Sequence, residues 1–116
     1  MANEKDNSVL ASLISRLKKE KKPIWKRVVH ELSRPRRDRI EVNLSKIDLY
    51  GEEGATLLVP GTVLGSGSLS KKGITIAAFR FSETAKKIIK DSGNKTMTID
   101  ALIKSNPEGR EILLLR

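Results

Sequence analysis

Between Arg16 and Arg39 the chain carries eleven Lys and Arg residues against three carboxylates, Glu20, Glu31 and Asp38, so this stretch holds net +8 of a total of +9. Such side chains are rarely buried without a partner, and here the acids are too few to pair them. The apolar residues between them must therefore be gathered on one side of regular elements, with the charges on the other. Val9, Leu10, Leu13, Ile14 and Leu17 recur at helical spacing, with Asn7 or Ser8 as N-cap and Arg16, Lys18 and Lys19 at the negative end of the helix dipole. Pro23 suits the first position of a second helix, which buries Ile24, Trp25, Val28, Val29 and Leu32 and turns Lys26, Arg27, His30 and Glu31 outward. The short linker Glu20-Lys21-Lys22 predicts an antiparallel helical hairpin.

Pro35 biases Arg34 away from helix, and no apolar residue occurs until Ile40, so Ser33 to Arg39 reads as an exposed arginine loop that the fold does not need. Ile40, Val42 and Leu44 alternate with Glu41 and Asn43 as a half-buried strand, and Ser45 to Tyr50 is a turn or short helix. Beyond Gly54 the elements are short and set off by glycines. Leu57 to Val59 and Thr62 to Leu64 read as two strands around a Pro60-Gly61 turn, and Ile74 to Phe81 reads as the longest strand. A helix follows, capped by Ser82 and stopped at Gly93. Thr96 to Ile99, a short helix capped by Asp100, and Ile112 to Leu115 complete the pattern. The fold class is α+β in a single domain over residues 1–116, with a basic hairpin and arginine loop in 1–39 and an α+β core in 40–116. With 3% aromatic residues, that core must be aliphatic.

A concentrated positive field calls for a polyanionic partner, and a nucleic-acid phosphate backbone is the simplest. Base stacking is disfavoured, because only Trp25, Tyr50, Phe79 and Phe81 are available as aromatics. The absence of cysteine excludes thiolate metal sites and thiol catalysis and fits a reducing compartment. The polar start MANEKDNSVL does not read as a signal peptide, and no window approaches the ~18 apolar residues of a membrane span. A cytoplasmic protein is expected. His30 is the single histidine, and it stands with no nucleophile at helical spacing other than Ser33. No acid-base, metal or cofactor site is expected.

The loop Gly65 to Gly73 fails both nucleotide templates. Gly67 and Gly73 enclose five residues where a Walker loop has four, Gly65-x-Gly67 lacks the third glycine of the dinucleotide pattern, and a strand follows in place of a helix. Two readings remain, a hairpin connection or a flexible finger that carries Lys71 and Lys72, with Ser66 and Ser68, to phosphates. The candidate nucleic-acid contacts are thus Lys21, Lys22, Lys26 and Arg27; Arg34, Arg36, Arg37 and Arg39, whose guanidiniums suit bidentate phosphate binding; Lys46; and Ser66, Ser68, Lys71 and Lys72. A small DNA-binding regulator built on the helical pair is the alternative, although Ile24 and Trp25 occupy the turn where base-reading side chains would be expected.

Several strings carry a resemblance: Ser33-Arg34-Pro35-Arg36-Arg37-Asp38-Arg39 followed by Glu41 to Ile47; Val59-Pro60-Gly61-Thr62-Val63-Leu64-Gly65-Ser66-Gly67; Ile74 to Ala78 before Phe81-Ser82; and Asn106-Pro107-Glu108-Gly109. Together they resemble the large-subunit ribosomal protein family called eighteen-e, in its short archaeal form, from about Asn7 to Arg116. The resemblance implies an irregular repeat of strands and helices related to the bacterial fifteen family. It also implies a structural, non-enzymatic constituent of the large ribosomal subunit without cofactor. Its partners would be ribosomal RNA and neighbouring ribosomal proteins, with no membrane or small-molecule substrate and a monomer in isolation.

Overall fold

The computed structural model describes residues 4–35 and 38–116. In chain order its elements are α1 (Glu4–Leu17), α2 (Pro23–Leu32), β1 (Ile40–Asn43), α3 (Leu44–Tyr50), β2 (Thr56–Leu64), β3 (Thr75–Phe81), α4 (Glu83–Asp91), β4 (Lys95–Thr98), α5 (Ile99–Ser105) and β5 (Ile112–Leu114). The architecture is α+β, and all the strand pairs among the described residues are parallel. β2 lies at the centre. β3 and then β4 follow on one side; on the other, β5 pairs with Thr56 to Leu58 and β1 pairs with Gly61 to Leu64.

Two strands thus share one edge of β2, and this explains why a Pro-Gly dipeptide sits inside a central strand. Pro60 falls where β5 has ended and β1 has not begun. On the opposite edge the register with β3 slips between Val59 and Thr62. A residue without an N–H is tolerated where no ladder bond is needed. Gly61 has a different reason: it faces Ile40, and a Cβ built on it would overlap the Ile40 carbonyl oxygen. Pro60 and Gly61 therefore do not make a turn. The two expected strands are one, because the dipeptide marks a change of partner, which local turn chemistry does not distinguish from a reversal.

Parallel strands are covered on both faces and read as nearly continuous apolar runs. Leu57, Val59 and Val63 of β2 join Ile76 and Ala78 of β3 in a core with Leu44 and Ile47 of α3 and Ala85 and Ile89 of α4. Leu58 and Ala77 point the other way, into a core with Leu10, Leu13 and Leu17 of α1, Trp25, Val28 and Leu32 of α2 and Ile99, Leu102 and Ile103 of α5. Trp25 is fully buried, and its indole Nε1 donates to the Pro107 carbonyl at 2.8 Å, which satisfies the one polar atom of a large apolar side chain.

Helix boundaries follow local chemistry with two corrections. Ser82 caps α4, its Oγ accepting from the Ala85 N–H at 3.1 Å, and Gly93 after the helix has φ +80°. α1 starts at Glu4, ahead of both expected caps, Asn7 and Ser8. α5 is capped by Thr98, not Asp100: Thr98 Oγ1 accepts from the Ala101 N–H at 3.0 Å, and Asp100 lies in the first turn. Asn43 and Thr98, which lead from β1 into α3 and from β4 into α5, share the backbone angles φ −83°, ψ 158°. Each strand therefore passes directly into a helix, one on each face of the sheet.

The glycine-rich connection is neither a hairpin nor a finger. Because β3 runs parallel to β2 and Thr75 pairs with Thr56, residues 65–74 must travel back most of the length of β2, roughly 26 Å at about 3.3 Å per residue. Ten residues span at most about 36 Å, so there is no slack for a helix. The segment is a strap laid along one face. Leu69 is buried in the core beneath α3 and α4, Asp48 Oδ1 accepts from the Ser70 and Lys71 N–H groups at 2.9 and 3.2 Å, and the Ser70 hydroxyl also donates to Asp48. Lys71 Nζ donates to the Gly51 carbonyl at 2.6 Å. Asn94, buried, accepts from the Ile74 N–H and donates to the Lys71 carbonyl.

Candidate nucleic-acid interface

α2 turns Trp25, Val28 and Leu32 into the core, so Lys26, Arg27 and His30 face solvent, with Lys21 and Lys22 exposed in the preceding turn. Lys22 Nζ lies 3.0 Å from a Glu108 carboxylate oxygen. Lys21, Lys26 and Arg27 form no ion pair among the described residues, which leaves their charge free. Arg27 lacks even the usual helical partner at i+4, because that residue is Glu31 and Glu31 is buried, with 1% of its surface exposed. Its expected outward placement is thereby corrected. Residue 31 follows Val28 by three and precedes Leu32, so it extends the buried stripe of α2.

The buried carboxylate organises the second group of candidates. Arg34 Nη1 lies 3.2 Å from Glu31 Oε2, and Arg116 Nη1 lies 3.1 Å from Oε1. Glu31 thus bridges the end of α2 to the segment after β5. Arg39 Nε donates to the Arg34 carbonyl at 3.4 Å, and Lys46 Nζ on α3 donates to the Arg116 main-chain oxygen. Arg34, Arg39 and Lys46, read separately from the sequence, are brought together here. Arg116 joins them without having been singled out; its only signal was a charged residue directly after the apolar run Ile112 to Leu115. Arg36 and Arg37 lie outside the described residues. Contrary to the expectation of a loop dispensable to the fold, Arg34 is tied into it.

The third group is dispersed along the strap. Ser66 and Ser68 are exposed, and the Ser66 carbonyl accepts from the Ser45 N–H at 3.3 Å, which sets it beside the start of α3. Lys71 is committed to Gly51, whereas Lys72 is exposed. Asp48 beneath them has its pKa held below the ordinary carboxylate range, first by the Ser70 N–H and then by the Ser70 hydroxyl, which outweigh an opposing cost of burial, with smaller additions from the Lys71 N–H and ammonium. A carboxyl whose folded pKa is depressed stabilises the fold above its unfolded pKa, and this contribution is lost as pH falls through the folded value. The melting-temperature gap between wild type and Asp48→Asn is therefore expected to be widest near neutrality and to close as pH drops below about 4. A gap that persisted unchanged into stronger acid would refute this role for the charge.

Among the described residues, His, Cys, Asp and Glu do not gather in threes at metal-holding distance, and no helix is long and apolar enough to cross a membrane. The surface on offer among the described residues is a set of unpaired or half-exposed cations, suited to many weak contacts with a polyanion.

Residues 3–116 match the family described as Ribosomal protein 60S L18 and 50S L18e. The chain belongs to this family. Among its relatives is the large ribosomal subunit protein eL18 of Methanococcus maripaludis, 48% identical over 113 residues that cover 94% of this chain and 93% of that protein. The eL18 protein of Methanoregula boonei is 44% identical over 117 residues, covering 97% and 96%, and that of Archaeoglobus fulgidus is 43% identical over 103 residues, covering 89% and 87%. L18 and L18e proteins are structural and not enzymes, in agreement with the expected lack of catalytic chemistry. Nothing in these similarities supports the alternative of a DNA-binding regulator.

Proposed function

We propose that this chain is a structural constituent of the large ribosomal subunit that binds ribosomal RNA through phosphate contacts and supports subunit assembly and translation. The match to the L18 and L18e family over nearly the whole chain carries this reading, and the unpaired cations on α2 supply its physical means. The protein acts in the cytoplasm on the ribosome, as a single domain and a monomer before assembly, with ribosomal RNA and adjacent ribosomal proteins as partners. α1 and α2 serve as an antiparallel hairpin whose outer face presents Lys21, Lys22, Lys26 and Arg27 to the backbone. Arg34, Arg36, Arg37, Arg39 and Lys46 extend that face, and Ser66, Ser68 and Lys72 add contacts from the strap. Lys71 acts mainly by anchoring the strap to Gly51.

Sedimentation of the native protein in a cell extract tests the reading: it should travel with large subunits and leave them in high salt. Its absence from that fraction would overturn the assignment. In binding assays with large-subunit ribosomal RNA, log affinity should fall linearly with log salt, by about 0.7 to 0.9 per phosphate contact. Replacing Lys21, Lys26 and Arg27 together with Ala should lower that slope by about two to three and leave the melting temperature within a few degrees of wild type, because none of the three is buried.

A further inference from the structure

The arrangement around Glu31 asks for an explanation beyond stability. Removing a carboxylate from water costs several kcal/mol, and replacing a buried ion pair by an apolar side chain of similar size is often neutral or stabilising. Position 31 lies on the apolar stripe of α2 beside Leu32, where a Leu or Met would extend the same packing. An acid there instead fixes two guanidiniums: each of its oxygens receives one Nη1, from Arg34 and from Arg116. The two arginine side chains stay 45% and 50% exposed. A guanidinium has five N–H donors; the carboxylate takes one from each, and the remainder can meet a ligand at the surface.

The charge balance is one-sided. Arg34 and Arg116 contact the single buried acid, and Arg39 and Lys46 donate to main-chain oxygens of those two arginines, so the side chains of the cluster sum to net +3. Asp38, Glu41 and Glu111, acids close in sequence to these cations, are exposed, Asp48 is engaged by Ser70 and Lys71, and none of them forms an ion pair with the four among the described residues. The four cations are held from three parts of the fold, the α2–β1 connection, α3 and the segment after β5. Arg34 follows α2, Arg39 precedes β1, Lys46 lies on α3 and Arg116 follows β5. Long side chains restrained in this way lose less entropy on binding than free ones, so the fold has already met part of the ordering cost of a contact.

We propose that Glu31 is a positioning residue that sets Arg34 and Arg116 as a paired clamp for phosphodiester groups of RNA, flanked by Arg39 and Lys46. Arg116 is thereby an RNA contact. This deepens the proposed ribosomal RNA function and rests on it.

The decisive variant is Glu31→Gln, because it raises the chain's net charge from +9 to +10. If charge alone governed binding, it would bind large-subunit ribosomal RNA more tightly. The clamp requires the opposite: binding several-fold weaker, measured at a temperature where circular dichroism shows the variant fully folded, since the amide no longer holds both guanidiniums. Arg116→Ala, which leaves Arg34 on Glu31 and should remain folded, is expected to lose about tenfold in affinity and to reduce the salt slope by about one contact. Arg116→Lys should restore the slope without restoring full affinity, because an ammonium lacks the planar fork.

Equal or tighter binding by folded Glu31→Gln would overturn the positioning role. Unchanged affinity and slope in Arg116→Ala would overturn the clamp and leave the ribosomal RNA reading standing. Salt-independent or absent binding by the wild-type protein would instead sink that reading, and the clamp with it. Should Glu31→Gln fail to fold, the Arg116 pair of variants still decides.

Discussion

Trp25→Ala lowers the free energy of unfolding by about 3–5 kcal/mol, a large share of the roughly 6–17 kcal/mol expected for a domain of this length. The indole is fully buried among residues of α1, β2 and α5, and truncation would open a cavity on the face of the sheet that carries the basic helices. For this chain length the melting temperature should fall by roughly 10–20 °C. Trp25→Phe separates packing from polarity: it keeps most of the contact area and forfeits the Nε1 to Pro107 hydrogen bond, so its loss should be about 1–2 kcal/mol. If Phe were as damaging as Ala, the hydrogen bond, and not the packing, would be what fixes the segment around Pro107.

The second large effect is cooperative. Arg34→Ala and Arg116→Ala alone each leave Glu31 with one cationic partner, and each should cost about 1 kcal/mol. Together they strand an acid whose side chain is 2% exposed, at about 3–5 kcal/mol, so the double loss should exceed the sum of the singles. Adding Glu31→Met to the double variant should return most of that stability, because a thioether chain fills the same place with no charge to desolvate. Denaturant unfolding of wild type, the two single variants and the double measures the cycle, and that of the triple variant measures the recovery. Strict additivity, or no recovery with Met, would mean that water reaches Glu31 and that the carboxylate is not isolated by the fold.

The two predictions concern residues of unequal legibility. Trp25 was readable because helix periodicity is a local signal: Trp25, Val28 and Leu32 fall on one face whatever lies against them. The Ser82 cap, the Gly93 stop and the β3 strand were readable for the same reason, each depending on residues a few positions apart. Glu31 reads as outward-facing by its charge although it sits on the buried stripe, and the partner that explains its burial, Arg116, lies 85 residues away. The parallel sheet was not legible either. Short apolar runs bounded by glycines look the same whether they pair with the next run or with a distant one, so Pro60-Gly61 read as a turn and residues 65–74 as a hairpin or finger. The basic surface was legible as charge and not as geometry, since composition reveals an excess of cations but not which of them a buried acid will orient.

The frame around that surface is tied at its two extremes. Trp25 meets Pro107, Arg16 meets Asp100, Glu31 meets Arg116 and Lys46 meets Arg116, while β5 completes the edge of β2 that β1 only half covers. During synthesis the cationic helices therefore leave the exit tunnel well before the residues that fix their orientation. Contacts so distant in sequence form late and slowly. A nascent chain stopped short of Ile112 would carry the full positive charge of the first helices without the pairing of β5 or the contacts of Arg116 that complete the arrangement around Glu31. The basic face reaches its final arrangement only once Leu115 enters the core and Arg116 closes on Glu31.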